Sequence, residues 1–191
     1  MKCFACLTGV VALAVPLATA QASTWRSDPA HSEVDFTIRH LSIADVSGSF
    51  GGVKATIIYD PSDPARCSVR ATVGVGTVNT GEAGRDDEIK SSDFFGVDEY
   101  PTATFTSTSV TKDGADLKVV GNFTLHGVTR PVVLDVAGPT SQARGPEEKP
   151  YAGFSATATI DRTAFGIGNG FPPAILGDEV KLKIHLEVIR Q

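Results

Sequence analysis

Residues 179–189 read EVKLKIHLEVI. Val180, Leu182, Ile184, Leu186 and Val188 alternate with Lys181, Lys183, His185 and Glu187, so one side of the segment is dry and the other polar. Successive side chains of an extended chain point to opposite faces, so this period of two predicts a strand with one buried face. Working back along the chain, the same alternation recurs. YAGFSATATIDR (151–162) sets Phe154, Ala156, Ala158 and Ile160 against Ser155, Thr157 and Thr159. DLKVVGNFTLHGVTRPVVLDV (116–136) reads as two strands broken at His126-Gly127, and TATFTSTSV (102–110) as another. CSVRATVGVGTV (67–78) puts Cys67, Val69, Ala71, Val73 and Val75 on one face, and Val53, Ala55, Ile57 and Tyr59 alternate with Lys54 and Thr56. The opening strand lies in SDPAHSEVDFTIRHL (27–41), with Val34, Phe36 and Ile38 inward.

These eight strands are separated by turn signals such as Asp60-Pro61 and Asp113-Gly114. One short helix is expected over GEAGRDDEIKSS (81–92), between the third and fourth strands, with Asp86-Asp87-Glu88 in its solvated first turn. The fold class is therefore all-β. Eight antiparallel strands with one apolar face close into a barrel that its own side chains fill or that holds one small ligand; a two-sheet sandwich is the alternative. Large inward residues (Phe36, Phe105, Phe123, Phe154) alternate with small ones (Ala55, Ala71, Ala103, Gly121, Ala156, Ala158), which suits either interior.

The first 22 residues stand apart. MKCFACLTGVVALAVPLATAQA has one positive charge, Lys2, then an apolar run to Ala18 and a small-x-small ending at Ala20-Gln21-Ala22. That is the pattern of a secretory signal peptide cleaved after Ala22, leaving one domain over 23–191 and a periplasmic or secreted product. Cleavage takes the formal charge from −5 to −6. A mildly acidic chain with no basic stripe argues against nucleic acid as partner. Cys3 and Cys6 leave with the leader, so Cys67 has no intramolecular disulfide partner. Its inward position suits a buried, inert thiol better than an intermolecular bridge.

Chemistry-bearing motifs are sparse. His31, His40, His126 and His185 show no metal-ligand spacing, and His185 points outward. No serine nucleophile elbow, cysteine pair or phosphate loop is present; Gly166-Ile167-Gly168-Asn169-Gly170 follows a strand but opens no helix. The sequence reads as a binding protein, without catalytic residues, metal or covalent cofactor.

Four stretches in order carry a family resemblance: DPAHSEVDFTIRHL, RDDEIKSSDFFGVDEYPTATFTST, GNFTLHGVTRPVVLDV and ATATIDRTAFGIG. From about Thr24 to Gln191 the chain resembles the YceI-like family of exported, polyisoprenoid-binding, lipocalin-like barrels. The resemblance implies an eight-stranded barrel whose apolar channel holds a long isoprenoid lipid, a quinone or quinone precursor. It implies transient contact with the membrane where such a lipid resides, and a homodimer. Where the family often has a histidine after Arg-Asp-x, this chain has Glu88, and no role of that histidine carries over.

A channel ligand needs apolar walls and a few polar groups at its mouth. The wall candidates are Phe36, Ile38, Val73, Phe105, Phe123, Leu125, Phe154, Ala156 and Ile160. Arg85 and Arg162 are candidates for the lipid head, since guanidinium suits phosphate or carbonyl oxygens; ion pairs with Asp86 and Asp161 are their structural alternative. DRTAFGIGNGFPP (161–173) reads as a lid or as an ordinary crossover. Two functions follow: a carrier that sequesters or ferries the lipid, or a redox accessory whose bound quinone exchanges electrons with a membrane cytochrome.

Overall fold

The computed structural model describes residues 21–145 and 148–191. The leader expected over 1–22 lies, up to residue 20, outside the described residues. Twelve strands form one antiparallel sheet: β1 (Ser23–Ser27), β2 (Glu33–His40), β3 (Ala44–Gly51), β4 (Lys54–Tyr59), β5 (Ser68–Gly74), β6 (Val78–Asn79), β7 (Thr102–Asp113), β8 (Asp116–Leu125), β9 (Val128–Ala137), β10 (Ala143–Arg144), β11 (Pro150–Asp161) and β12 (Leu176–Arg190). One helix, α1 (Ala83–Lys90), stands between β6 and β7. Eight walls result, because the first three are each broken in two, β1 with β2, β3 with β4, and β5 with β6, and the two-residue β10 only pairs with the start of β11.

The last strand closes the ring. Along one edge β12 pairs with β11 from Tyr151↔Ile189 to Asp161↔Glu179. Along its other edge it pairs first with β2, from Leu176↔His40 to His185↔Glu33, and then with β1, from Ser27↔Val188 to Trp25↔Arg190. The sheet is thus a closed eight-stranded antiparallel barrel, not a sandwich. Its loosest seam is β9–β11, which pair only over Ala137–Asp135 against Ser155–Thr157.

The breaks have local causes. Between β1 and β2, Asp28 accepts from the Ala30 N–H and caps a 3₁₀ turn over Pro29–His31. The Ser27 hydroxyl donates to the Val53 carbonyl and accepts from the Ala55 N–H, which stitches this break to the one between β3 and β4. α1 begins where the Glu82 carboxylate accepts from the Gly84 and Arg85 N–H groups, which intrahelical bonding leaves orphaned.

The sequence reading did not include β3, the upper half of the second wall. Its inward row is Val46, Gly48, Phe50, and the glycine interrupts the apolar alternation. The glycine is required because the Phe36 ring of the neighbouring strand lies over it: a Cβ at Gly48 would sit 2.7 Å from Phe36 Cζ. The interior is divided into three packed groups. One surrounds Phe36, Phe50, Leu125, Ile160 and Phe165; a second surrounds Trp25, Ile57, Phe154 and Val188; a third is built on Phe105, Val110 and Val119.

Candidate functional site

Between these groups runs a cavity of about 350 Å³, within the range of small-molecule sites. It extends from a mouth at α1 and the 171–176 segment to Tyr59, Cys67 and Leu117 near the far end of the barrel. Phe36, Ile38, Val73, Phe105, Phe123, Leu125, Phe154, Ala156 and Ile160 all lie on its wall, as do Arg85 and Arg162. The strands put them there by parity alone: Phe36↔Leu182, Ala156↔Ile184 and Phe105↔Phe123 are facing neighbours with inward side chains.

Sequence reasoning missed part of the wall. Phe50, on the strand not read, packs between Phe36 and Phe95, with ring centroids 5.4 and 5.5 Å away. At the mouth Phe94 meets Phe171 at 5.4 Å, and Ile89 of α1 faces inward beside them. The Phe94-Phe95 pair was visible as a motif, but nothing local shows that a loop residue such as Phe171 folds over the same opening.

The two arginines differ. Arg162 is 2 % exposed, and all its donors are committed. Nε donates to the Gly177 carbonyl, Nη1 to those of Ile167 and Gly168, and Nη2 to those of Phe171 and Leu176 and to Asp178 Oδ1, at 2.6–2.9 Å. One side chain therefore pins the segment from Ile167 to Asp178, which takes in the second half of the 161–173 stretch read from the sequence as lid or crossover. The ion-pair partner is Asp178, not the adjacent Asp161, which instead accepts from the Thr163 N–H and hydroxyl and starts the 3₁₀ turn Arg162–Phe165. Those two hydrogen bonds, the hydroxyl's first, hold the Asp161 carboxyl below the usual aspartate range.

Arg85 is half-buried at the mouth. Its Nε donates to Thr80 Oγ1 at 2.8 Å and its Nη2 to the Thr80 carbonyl at 2.9 Å. Asp86 does not pair with it directly; Oδ1 accepts from the same Thr80, from N–H at 2.8 Å and hydroxyl at 2.6 Å, which lowers its carboxyl pKa. Thr80 thus orients Arg85 while Nη1 has no hydrogen-bond partner among the described residues. Glu88, at the position where the family often has histidine, is exposed and also lines the mouth.

At the far end, Cys67 Sγ accepts from the Asp60 N–H at 3.2 Å, and burial pushes its thiol pKa up, as suits an inert cysteine. His126 forms the β8–β9 turn as expected, with positive φ at His126 and Gly127, and its ring reaches the Phe165 carbonyl at 3.1 Å. One cluster escaped the spacing argument. His31 Nδ1 lies 3.0 Å from Asp28 Oδ2 and 3.8 Å from Glu187 Oε1, contributed by the last strand. The Asp28 carboxylate, by hydrogen bond and then by charge, raises the His31 pKa; the group is an exposed ion-pair cluster at the β1–β2 turn.

Residues 25–188 match the model of the YceI-like domain. The chain belongs to the YceI-like family. Protein YceI of Escherichia coli is 40 % identical over 161 residues, 84 % of this chain and 83 % of that one. The crystal structure of Burkholderia cenocepacia BcnA superposes with a TM-score of 0.73 at 27 % identity, covering 84 % of this chain and 98 % of BcnA. A polyisoprenoid-binding domain from Saccharophagus degradans, implicated in plant cell wall breakdown, superposes at 0.63 with 14 % identity, over 87 % of this chain and 98 % of that domain; it shares the fold. The fold seen here thus recurs at low sequence identity.

Proposed function

We propose that the protein binds a long-chain isoprenoid lipid, a quinone or quinone precursor, with the chain in the barrel and the head beside Arg85. The observation that carries this reading is a cavity walled almost entirely by aliphatic and aromatic side chains, with an oriented guanidinium at its mouth. The polyisoprenoid-binding domain of the same fold supports the ligand class. Arg162 contributes by holding the mouth together, its donors being spent. The leader pattern supports export to the periplasm or beyond, where a carrier would move the lipid through aqueous space.

Magnitudes favour exchange over storage. At about 0.8 kcal/mol per buried CH₂, a chain of roughly forty carbons would gross on the order of 30 kcal/mol relative to water. The lipid's real alternative is the bilayer, which is equally apolar, so net transfer lies near zero and loading is governed by rates. Electron exchange between a bound quinone and a membrane cytochrome is a second use of the same site, with the head near the surface at Arg85. Organic extraction of gently purified protein followed by mass spectrometry should find a stoichiometric isoprenoid. Repeated absence of lipid, with no uptake from quinone-loaded vesicles, overturns the proposal; reduction of a loaded quinone by a membrane fraction would favour the redox use.

A further inference from the structure

Three of the large apolar side chains left exposed among the described residues meet at one place: Leu41 at 45 %, Ile43 at 78 % and Ile175 at 40 %. Leu41 and Ile43 sit at the tip of the β2–β3 hairpin, and Ile175 immediately precedes β12. The two segments are joined, since the Leu41 N–H donates to the Ile175 carbonyl at 2.8 Å and the Ser42 hydroxyl donates to that of Ala174 at 3.4 Å. The tip borders the cavity mouth, because His40 beside it and Ile175 line the cavity, whereas Leu41 and Ile43 do not.

The turn chemistry is unusual. The Ile43 N–H closes the turn on the His40 carbonyl, and both central residues are left-handed, Leu41 at φ 50° and Ser42 at φ 58°. Asn and Gly are the residues such a turn favours; leucine adopts it at a cost in backbone energy. A leucine left 45 % exposed in a strained turn adds little to the barrel's own packing.

We infer that Leu41, Ile43 and Ile175 form the surface by which the protein seats on a lipid bilayer, bringing the cavity mouth to the hydrocarbon edge. This rests on the isoprenoid reading for its purpose, not for its geometry. Three aliphatic side chains fall far short of the roughly 20–30 residues a side of a stable protein interface, but they suit shallow insertion at a membrane surface. Directly behind the tip, Arg39 and Asp45 pair at 3.1 Å, so the approach is locally neutral. Seating is therefore apolar in origin and insensitive to salt.

The test uses lipid-free protein and neutral phosphatidylcholine vesicles. Leu41→Asn with Ile43→Ser removes the apolar tip while giving the left-handed position a residue that favours it, so the denaturant midpoint should hold or rise. Val133→Ser removes an exposed apolar side chain elsewhere on the barrel and is the control. Co-flotation with vesicles should fall about tenfold or more in the double variant, persist in the control, and change little between low and high salt. Equal flotation of wild type and double variant, no flotation of wild type, or binding that needs anionic lipid and vanishes in salt would each overturn the inference. A wild-type dimer that the double variant converts to monomer, with flotation unchanged, would assign the tip to a second copy of the chain and equally overturn it. Loading with an isoprenoid quinone added in detergent is measured separately and should not differ between the proteins. Failure to load in both sinks the isoprenoid proposal and leaves the flotation result to decide the seating surface.

Discussion

The two ends of this barrel are built by different physics. At the far end Trp25, Ile57, Ala152, Phe154 and Val188 pack together, and apolar burial does the work. At the mouth, loops replace strands, and their backbone carbonyls are gathered by the buried Arg162 and their register fixed by Thr80, Arg85 and Asp86. A packed end needs only volume and hydrophobicity. At the mouth, hydrogen bonds to backbone join the Phe94–Phe171 contact in defining the shape of the opening. The difference teaches where variation is tolerated: the far end responds to lost volume, the mouth to lost donors.

The largest effects should test that division. Trp25→Ala should cost about 3–5 kcal/mol of stability, read from the denaturant midpoint, through the cavity it leaves. Arg162→Met should cost about the same by another route, leaving five carbonyls and Asp178 without their donor. Hydrogen exchange separates them: the arginine variant should accelerate exchange over 167–177 first, whereas the tryptophan variant should loosen the barrel as a whole. Similar exchange patterns would erase the distinction between the ends.

Ala156→Phe probes the space between them. In a filled interior a new ring would overpack and cost about 1–3 kcal/mol. In a channel it occupies room that the lipid would use, so the midpoint of lipid-free protein should hold or rise while lipid bound per chain falls sharply. Outward Thr157→Phe should leave loading unchanged. Destabilisation with unchanged loading would show that the cavity is not the binding site at this strand.

Arg85→Gln should have a smaller effect on stability, about 1 kcal/mol or less, since a half-buried side chain gives up hydrogen bonds only to Thr80. Its signature is discrimination: uptake of isoprenoids with anionic or carbonyl heads should fall relative to the bare hydrocarbon, measured by competition.

The smallest effects are those of pH. The Asp60, Asp86 and Asp161 carboxyls are each held below 3.8, first by hydrogen bonds from Ser62, Thr80 and Thr163. Their contribution is present above 3.8 and is lost as pH falls through the lowered values. His31 runs the other way. Asp28 raises it above 6.5, so its contribution is complete below 6.5 and disappears as pH rises through the raised value. Stability should peak between these limits, and His31→Gln should remove the alkaline step and, because His31 also lowers the Asp28 carboxyl, trim the acid step as well.

Much of this was legible in the sequence because strand parity is a local property. β12 could be read residue by residue, and the inward aromatics Phe36, Phe105, Phe123 and Phe154 fell on the cavity wall. β3 was not legible, because its inward Gly48 serves the Phe36 ring of another strand. Arg162 could be singled out, but its partner lies 16 residues away across a loop, and adjacency suggested Asp161 instead. Strand parity left the choice between a filled and a hollow interior open for a similar reason, and only the family resemblance implied a channel. The choice depends on how the rings of Phe36, Phe50 and Phe95 stack across three separate segments, and no spacing encodes that.

The double pairing of β12 also has a kinetic side. Its bonds to β11 are local, but those to β1 and β2 join opposite ends of the chain, as Glu33 with His185, and the adjoining Ser32 hydroxyl donates to the Glu187 carbonyl 155 positions away. Such contacts repay the entropy of ordering only once nearly the whole intervening chain is in place, which makes closure the slow event of folding. Until that moment the apolar wall is an open, curved sheet with two bare edges at β2 and β12, a template for pairing with another chain. A lipid of the proposed kind would find those residues exposed in the unfinished barrel, and its presence during folding would then compete with aggregation for them.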